Sequence, residues 1–283
     1  MSVKNSITMA TRISDLDSLR HVNNRIYEQL CAEGRFRLLE SQGYPLEALL
    51  AKGISLRPIA SFVKFALQQK SGATLTIQTE AILSGNGIIL WNHHISQADG
   101  KSVCELQARS ETLDYKGGPI DLFSVTDEEP VQIHIEKVPD FSGNCERVSS
   151  QYSARYTDMD VFGKLPFAAY WRIFEEGRHM FGKQLGLTPE RLFQLDTNIF
   201  WIAGTYQYYK AIQAGQQVRI YTWLERVARI RAYFRQEIWS ADEGVLLGAS
   251  REEHLMVSLS EARTKNLPAE MEKVIQPYLE FQE

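Results

Sequence analysis

A carboxylate, a histidine and two asparagines stand together before a predicted helix near the start of the chain. Asp17 is followed by His21, Asn23 and Asn24, and the helix is expected to begin near residue 23. An aspartate with a reference pKa near ~3.9 is ionised at neutral pH and can act as nucleophile or general base. The N–H groups at a helix start can stabilise a negative oxygen. The order therefore predicts a site where carboxylate and amides meet on one carbonyl group.

Structural roles compete with catalysis at each of these positions. Asp17 can shape the loop or cap the helix, and Asn23 and Asn24 are residues that commonly cap helices. His21 either orients a carboxylate or a water molecule, or it hydrogen-bonds within the loop. Asp15 stands too early in the spacing to act on the same carbonyl, so we interpret it as a loop residue that pairs with an arginine.

The same pattern returns 143 residues later, which divides the chain into two copies. Residues 12–43 align with residues 155–186, and the offset holds further on. Asp17 recurs as Asp160, but its companions do not recur. Such self-similarity over a long period indicates a duplicated domain. The identical pairs are Arg12/Arg155, Asp15/Asp158, Asp17/Asp160, Tyr27/Tyr170, Glu33/Glu176, Gly34/Gly177, Arg35/Arg178, Gly43/Gly186, Ala60/Ala203, Gly72/Gly215, Ile77/Ile220 and Thr79/Thr222.

Each copy predicts a short strand, one long helix and then antiparallel strands. Apolar residues at helical spacing predict helices over residues 23–41 and 166–184, with Gly43 and Gly186 placed as left-handed caps. Period-two alternation and branched or aromatic residues predict the strands. This order is an α+β arrangement. The predicted strands are 5–12, 74–83, 87–96 and 104–114, and then 149–156, 218–227, 231–240 and 246–260; residues 116–145 are read as the connection and residues 269–276 as a short helix.

Composition excludes several classes of protein. The chain has 283 residues, 44% of them hydrophobic, a net charge of −4 and a pI near 5.9, which argues against nucleic acid as a partner. Arg229, Arg231 and Arg235 lie among acidic residues and are interpreted as a mixed, solvated strand face. No apolar run suits a signal peptide or a membrane helix, and three scattered cysteines indicate a reducing, cytoplasmic setting.

The segment from Asp15 to Tyr27, with its Asp-x-Asp, His-Val-Asn-Asn and downstream Tyr, resembles the signature of hotdog thioesterases. It is similar to acyl-carrier-protein thioesterases and to the 4-hydroxybenzoyl-CoA thioesterase group, although Leu19 stands where the plant enzymes have Asn. The resemblance implies two tandem hotdog domains, each an antiparallel sheet wrapped on a long helix. They are expected to form a pseudo-dimer within the chain, with domains at 1–130 and 131–283.

The resemblance also implies hydrolysis of fatty acyl thioesters of acyl carrier protein or CoA, with Asp17 as nucleophile or base. No cofactor and no metal is expected, and pseudo-dimers can assemble into homo-oligomers. Asp160, beside Lys164, Pro166 and Phe167 in place of the His and paired Asn, marks either a second site or a relic in an acyl-binding half. Glu33 and Arg35 are interpreted as structural pairing groups, repeated as Glu176 and Arg178.

Two other functions remain open at this stage. A hotdog hydratase or dehydratase would use Asp17 and His21 as its pair, and a non-catalytic acyl-binding protein would use neither. One set of aromatic residues either lines an acyl pocket or, more commonly, packs in the core. These residues are Phe200, Trp201, Tyr206, Tyr208 and Tyr209.

Overall fold

The computed structural model describes residues 2–123 and 132–281. These residues form two compact units. The first contains residues up to Glu136 together with Thr157–Ala169, and the second contains Lys137–Tyr156 together with the chain from Tyr170 onward. The domain boundary predicted between residues 130 and 131, and part of the predicted connection, fall on residues 124–131, outside the described residues.

The first unit packs a long helix on a five-stranded antiparallel sheet. Helix α1 contacts strands β1, β3 and β5. The strand order is β1-β3-β4-β5-β2. The elements are β1 Val3–Ala10, α1 Asn24–Ser41, α2 Leu46–Ala51, β2 Ser55–Phe65, β3 Thr74–Gly85, β4 Ile88–Gln97 and β5 Ser102–Leu113.

The second unit repeats this plan. Its strand order is β6-β8-β9-β10-β7, again antiparallel throughout. A short helix near the C-terminus follows the last strand, as the sequence predicts. The elements are β6 Val148–Ser153, α3 Phe167–Gln184, α4 Pro189–Gln194, β7 Asn198–Tyr208, β8 Gln217–Ala228, β9 Arg231–Ser240, β10 Leu246–Val257 and α5 Ala269–Ile275.

The internal repeat survives at the level of single elements. The long helices, the short helices after them and three strand pairs begin and end 143 residues apart, and one extra residue before β10 shifts the last pair. The α+β plan is therefore confirmed in both copies. The short helices α2 and α4 were not predicted, because six residues carry too little periodicity to be recognised.

One glycine in each long helix lets the helix approach its sheet closely. A Cβ at Gly34 would lie against Thr79 Oγ1, and a Cβ at Gly177 would lie 2.5 Å from Gln236 Nε2 and 3.1 Å from Thr222 Oγ1. Glycine costs about 1 kcal/mol relative to alanine inside a helix. Here it is required, because any side chain would push the helix off the strand.

The outer face of the second sheet is covered by two chain segments. The Glu280 carboxylate accepts hydrogen bonds from Trp223 Nε1 and from the Ser142 backbone, both at 2.7 Å. Arg235 donates to the Pro139 carbonyl and is almost fully buried. The sequence interpretation of Arg235 as part of a solvated face is thus wrong, since residues 139–142 and 280 cover it.

We predict that Gly34→Ala lowers the melting temperature by several degrees, because overpacking of a tight contact costs about 1–3 kcal/mol. Thermal unfolding of the parent and the variant measures the effect. Gln29→Ala, on the exposed side of the same helix, is the control and is expected to leave the melting temperature unchanged. An unchanged Gly34→Ala would mean that the helix can move away from β3 at no cost.

Candidate active site

Asp17 lies in a tight loop that its own carboxylate holds together. Oδ1 accepts hydrogen bonds from the backbone N–H groups of Leu19 at 2.9 Å and His21 at 3.2 Å. The Asp17 backbone N–H donates to the His21 carbonyl at 2.8 Å. Asp17 and His21 are both half-buried, so the loop remains accessible.

Asp160 builds the same loop in the second copy. Its Oδ1 accepts from the backbone N–H groups of Phe162 and Lys164, both at 2.9 Å, and its own N–H donates to the Lys164 carbonyl at 2.8 Å. The loop of Asp160 belongs to the first unit, as does that of Asp17. Loop shaping is therefore common to both aspartates, and it accounts for one oxygen of each.

The two loops differ at the turn residue. Arg20 has φ 63° and its counterpart Gly163 has φ 68°. Left-handed backbone costs a residue with a Cβ roughly 1–2 kcal/mol, whereas glycine adopts it freely. The first copy therefore keeps an arginine at a strained position beside Asp17.

The segment after the Asp17 loop starts helix α1. The Asn23 side chain accepts from the Arg25 backbone N–H at 3.0 Å, so Asn23 is the cap and Asn24 is the first helical residue. The Asn23 N–H donates to the Asp15 carbonyl at 2.9 Å. The Asp15 carboxylate accepts from the Arg12 backbone at 2.8 Å, as expected of a loop residue. His21, Asn23 and Asn24 all lie at this helix start, and each is half-buried.

Burial affects the charge of the Asp160 carboxylate. Desolvation raises the pKa of Asp160 above its ordinary value, against the hydrogen bonds from Lys164 and Phe162 that lower it. Cys31 on α1 is fully buried, and desolvation raises the pKa of its thiol, so it stays protonated.

A buried polar cluster in the first unit was not predicted. Arg35 pairs with the buried carboxylate of Glu28, and it donates to His93 Nε2 at 3.2 Å. His93 Nδ1 lies 3.0 Å from Thr79 Oγ1. Because a cation donates to Nε2, Nδ1 carries the proton and donates to Thr79. Burial, and then the charge of Arg35, hold the pKa of His93 well below its usual range.

The second unit has its own cluster at the repeated arginine. Arg178 donates to Glu252 at 2.6 Å, Tyr206 donates to Glu252 at 2.8 Å, and His254 Nε2 lies 3.1 Å from the same carboxylate. Burial would raise the pKa of Glu252, but Arg178 and its hydrogen-bonded neighbours hold it below the ordinary value. Burial lowers the pKa of His254.

These partners agree with the sequence interpretation of Glu33 and Arg35 as pairing groups. Arg35 is a structural pairing group, but Glu28 is its partner, while Glu33 pairs with Arg37 on the exposed side. A partner on a different element, such as Glu252 on β10 for Arg178 on α3, has no fixed sequence spacing. Such pairs could not be predicted from the sequence.

The aromatic residues of β7 divide between core and surface. Tyr206 and Tyr208 are buried, and the Tyr206 ring is tilted against Trp171 and edge-on to Trp201, whereas Tyr209, just after the strand, is 40% exposed. Core packing therefore accounts for the buried members. Among the described residues, no group of three His, Cys, Asp or Glu side chains could hold a metal ion, and no helix is long and apolar enough to cross a membrane.

A profile of the thioesterase-like superfamily matches the chain twice, over residues 11–142 and 154–275. A comparison with curated proteins finds no match. The two matched segments correspond to the two copies found from the internal repeat.

Solved structures with similar folds are double hotdog proteins. A protein described as an oleoyl thioesterase from Lactobacillus plantarum has a TM-score of 0.70 at 12% identity, covering 94% of this chain and 98% of that one. An acyl-ACP thioesterase from Bacteroides thetaiotaomicron has a TM-score of 0.68 at 13% identity, covering 89% and 97%. A 12:0-ACP thioesterase from Umbellularia californica has a TM-score of 0.70 at 13% identity, covering 89% and 93%. The prediction of two tandem hotdog repeats is confirmed.

We predict that Arg20→Gly raises the free energy of unfolding by up to about 1 kcal/mol, because glycine relieves the left-handed strain but gains entropy when unfolded. Urea unfolding measures the change. Gly163→Ala, at the equivalent turn, is the matched control and is expected to lower the stability. If both variants lower the free energy of unfolding, the Arg20 side chain stabilises the loop by more than its left-handed backbone destabilises it.

The histidine of the second cluster makes stability fall in acid. His254 stays neutral in the folded chain but binds a proton in the unfolded chain below about pH 6.5, which favours unfolding. Glu252 adds to the loss at lower pH, where its paired carboxylate takes up a proton. His254→Gln should reduce the slope of stability against pH by up to about 1.4 kcal/mol per pH unit.

Urea unfolding between pH 7 and pH 5 measures this slope. His179→Gln, on the exposed face of α3, is the control and should keep the parental slope. Equal slopes for the parent and His254→Gln would show that His254 is not held neutral.

Proposed function

The chain belongs to the thioesterase-like superfamily, and we propose on that basis that it hydrolyses acyl thioesters with Asp17 as the catalytic carboxylate. The observation that carries the proposal is the position of Asp17 in a half-buried loop directly before the capped start of α1. One oxygen, Oδ1, shapes the loop. The other oxygen, Oδ2, would act on the thioester carbonyl as nucleophile or through a water molecule.

Helix α1 supplies the second requirement of the reaction. The tetrahedral intermediate places a negative charge on the former carbonyl oxygen, and N–H groups at a helix N-terminus favour such a charge. In this proposal the first turn at Asn23 and Asn24 faces that oxygen. His21, whose backbone is bound to Asp17, would orient the carboxylate or the attacking water.

The proposed substrate is a fatty acyl group on the thiol of a phosphopantetheine arm, carried by CoA or by an acyl carrier protein. The acyl-carrier-protein enzymes among the similar structures support this class. Three free thiols, Cys31, Cys104 and Cys145, support a reducing compartment, and we propose a cytoplasmic location. The chemistry calls for no cofactor, since a carboxylate and amides suffice.

The second copy is proposed to be the inactive half. Asp160 keeps the loop but has Lys164, Pro166 and Phe167 in place of His21, Asn23 and Asn24. The Phe162 ring of its loop stacks 6.0 Å from Phe36, inside the first unit. Its loop is thus used for packing, which supports a role in holding the fold rather than in catalysis.

We predict that Asp17→Asn lowers kcat by about 10²–10⁴-fold, the usual contribution of a catalytic base, with an unchanged melting temperature. Asparagine keeps an oxygen that can accept from Leu19 and His21, so the loop should persist while the nucleophile or base is lost. Release of free thiol from acyl-CoA measures the rate.

Asp160→Asn is the matched control, because the same substitution is made in the same loop geometry. Asp160→Asn should lower kcat much less than Asp17→Asn, and His21→Ala should lower kcat by an intermediate amount. If Asp160→Asn abolishes hydrolysis and Asp17→Asn retains it, the active site lies in the second copy. If both stay active, the carboxylate mechanism is wrong.

A panel of acyl-CoA and acyl-carrier-protein thioesters tests the substrate class. We expect hydrolysis of fatty acyl thioesters, and the faster carrier identifies the natural one. Tight binding without release of thiol would instead indicate an acyl-binding protein, and addition of water to an enoyl thioester would indicate a hydratase.

A further inference from the structure

The buried hydroxyl of Tyr27 differs from its counterpart in the second copy. Tyr27 is 2% exposed, and within the described residues its hydroxyl has no acceptor for its proton. Tyr170, at the equivalent place in α3, donates to the Lys210 carbonyl at 3.1 Å. The two rings are otherwise placed alike, Tyr27 against Phe65 at 5.5 Å and Tyr170 against Tyr208 at 4.5 Å.

A second residue explains why the first copy lacks this bond. The carbonyl that corresponds to Lys210 belongs to Leu67, and the Gln69 side chain donates to it at 3.5 Å. Gln69 is itself held, because its Oε1 accepts from Gln97 at 2.9 Å. The second copy has Ile212 at the place of Gln69, which offers no donor. In the first copy this carbonyl therefore accepts from Gln69, and no bond from Tyr27 is formed.

The Tyr27 hydroxyl lies at the start of α1. Side chains on a helix lean toward its N-terminus, so the ring of this fourth helical residue points back to the first turn. Val22, in the loop before the helix, donates to the Gln69 carbonyl at 2.8 Å, and the Gln69 backbone N–H is directed at the phenolic oxygen. Burial, and then the charges of neighbours that include Asp17, raise the pKa of Tyr27, so the hydroxyl keeps its proton and remains a donor.

A buried hydroxyl without an acceptor costs about 1–3 kcal/mol, and native proteins seldom retain one without use. We propose that the Tyr27 hydroxyl is reserved for the substrate and donates to the carbonyl oxygen of the bound thioester. This inference rests on the proposed function, and it adds a side-chain donor to the helix amides. Because Tyr27 is 2% exposed, this contact requires the segment before α1 to move when the thioester binds.

The test compares Tyr27→Phe with Tyr170→Phe, which delete the same atom in the two copies. Tyr27→Phe should keep or raise the melting temperature, since it removes a buried hydroxyl whose proton has no acceptor, and should lower kcat for lauroyl-CoA at least tenfold. Tyr170→Phe should lower the melting temperature by a few degrees, because it breaks the bond to Lys210, and should leave kcat unchanged.

Two unreactive analogues of lauroyl-CoA test the contact itself. One replaces the sulfur by methylene and keeps the carbonyl, and the other is a thioether without carbonyl. The parent and Tyr170→Phe should bind the ketone more tightly than the thioether, and Tyr27→Phe should lose about tenfold of that preference. This measurement needs no turnover, so it also decides the matter if the parent proves unable to hydrolyse thioesters and the proposed function fails.

Two results would overturn the inference. If Tyr27→Phe loses stability as Tyr170→Phe does and keeps its kcat, the hydroxyl has a structural partner. If Tyr27→Phe leaves kcat and the preference for the ketone unchanged, the hydroxyl is a tolerated defect of the core.

Discussion

The close approach of a helix glycine to a threonine on the neighbouring strand determines most of this structure. In each copy the long helix lies so near the sheet that only hydrogen fits at Gly34 or Gly177. The next residue is an arginine whose side chain is largely buried, where an unpaired charge is costly. Each buried arginine therefore needs a carboxylate, and the helix depth also sets where its capped N-terminus and the Asp17 loop lie.

The two copies meet this constraint with different partners. Arg35 takes Glu28 from its own helix, while Arg178 takes Glu252 from a strand. The aspartate loops differ in the same way. Their hydrogen bonds are equivalent, but the residues around them are different. A duplicated fold thus preserves the contacts that determine backbone geometry, and the side chains around them are free to take separate roles.

The sequence predicted the elements whose residue patterns are formed by neighbouring residues and extend over many positions. Eighteen-residue helices with apolar periodicity were placed within a residue, and the 143-residue register predicted the duplication. Side-chain pairs between distant elements could not be predicted from the sequence. For example, the partner of Arg178 is 74 residues away. The burial of Arg235 was missed for the same reason, since a strand cannot show that a distant segment will cover it.

At the candidate site, residue types were easier to predict than their geometry. The cap at Asn23 followed from the sequence, because capping depends on neighbouring backbone alone. The Tyr27 hydroxyl without an acceptor did not, because it depends on a glutamine 42 residues further along that bonds the nearby Leu67 carbonyl.

The covering of the second sheet by Glu280 has a consequence for biosynthesis. The first unit draws only on residues up to 169, so it can fold while translation continues, whereas Trp223 and Arg235 of the second unit lack their Glu280 partner until residue 280 leaves the ribosome.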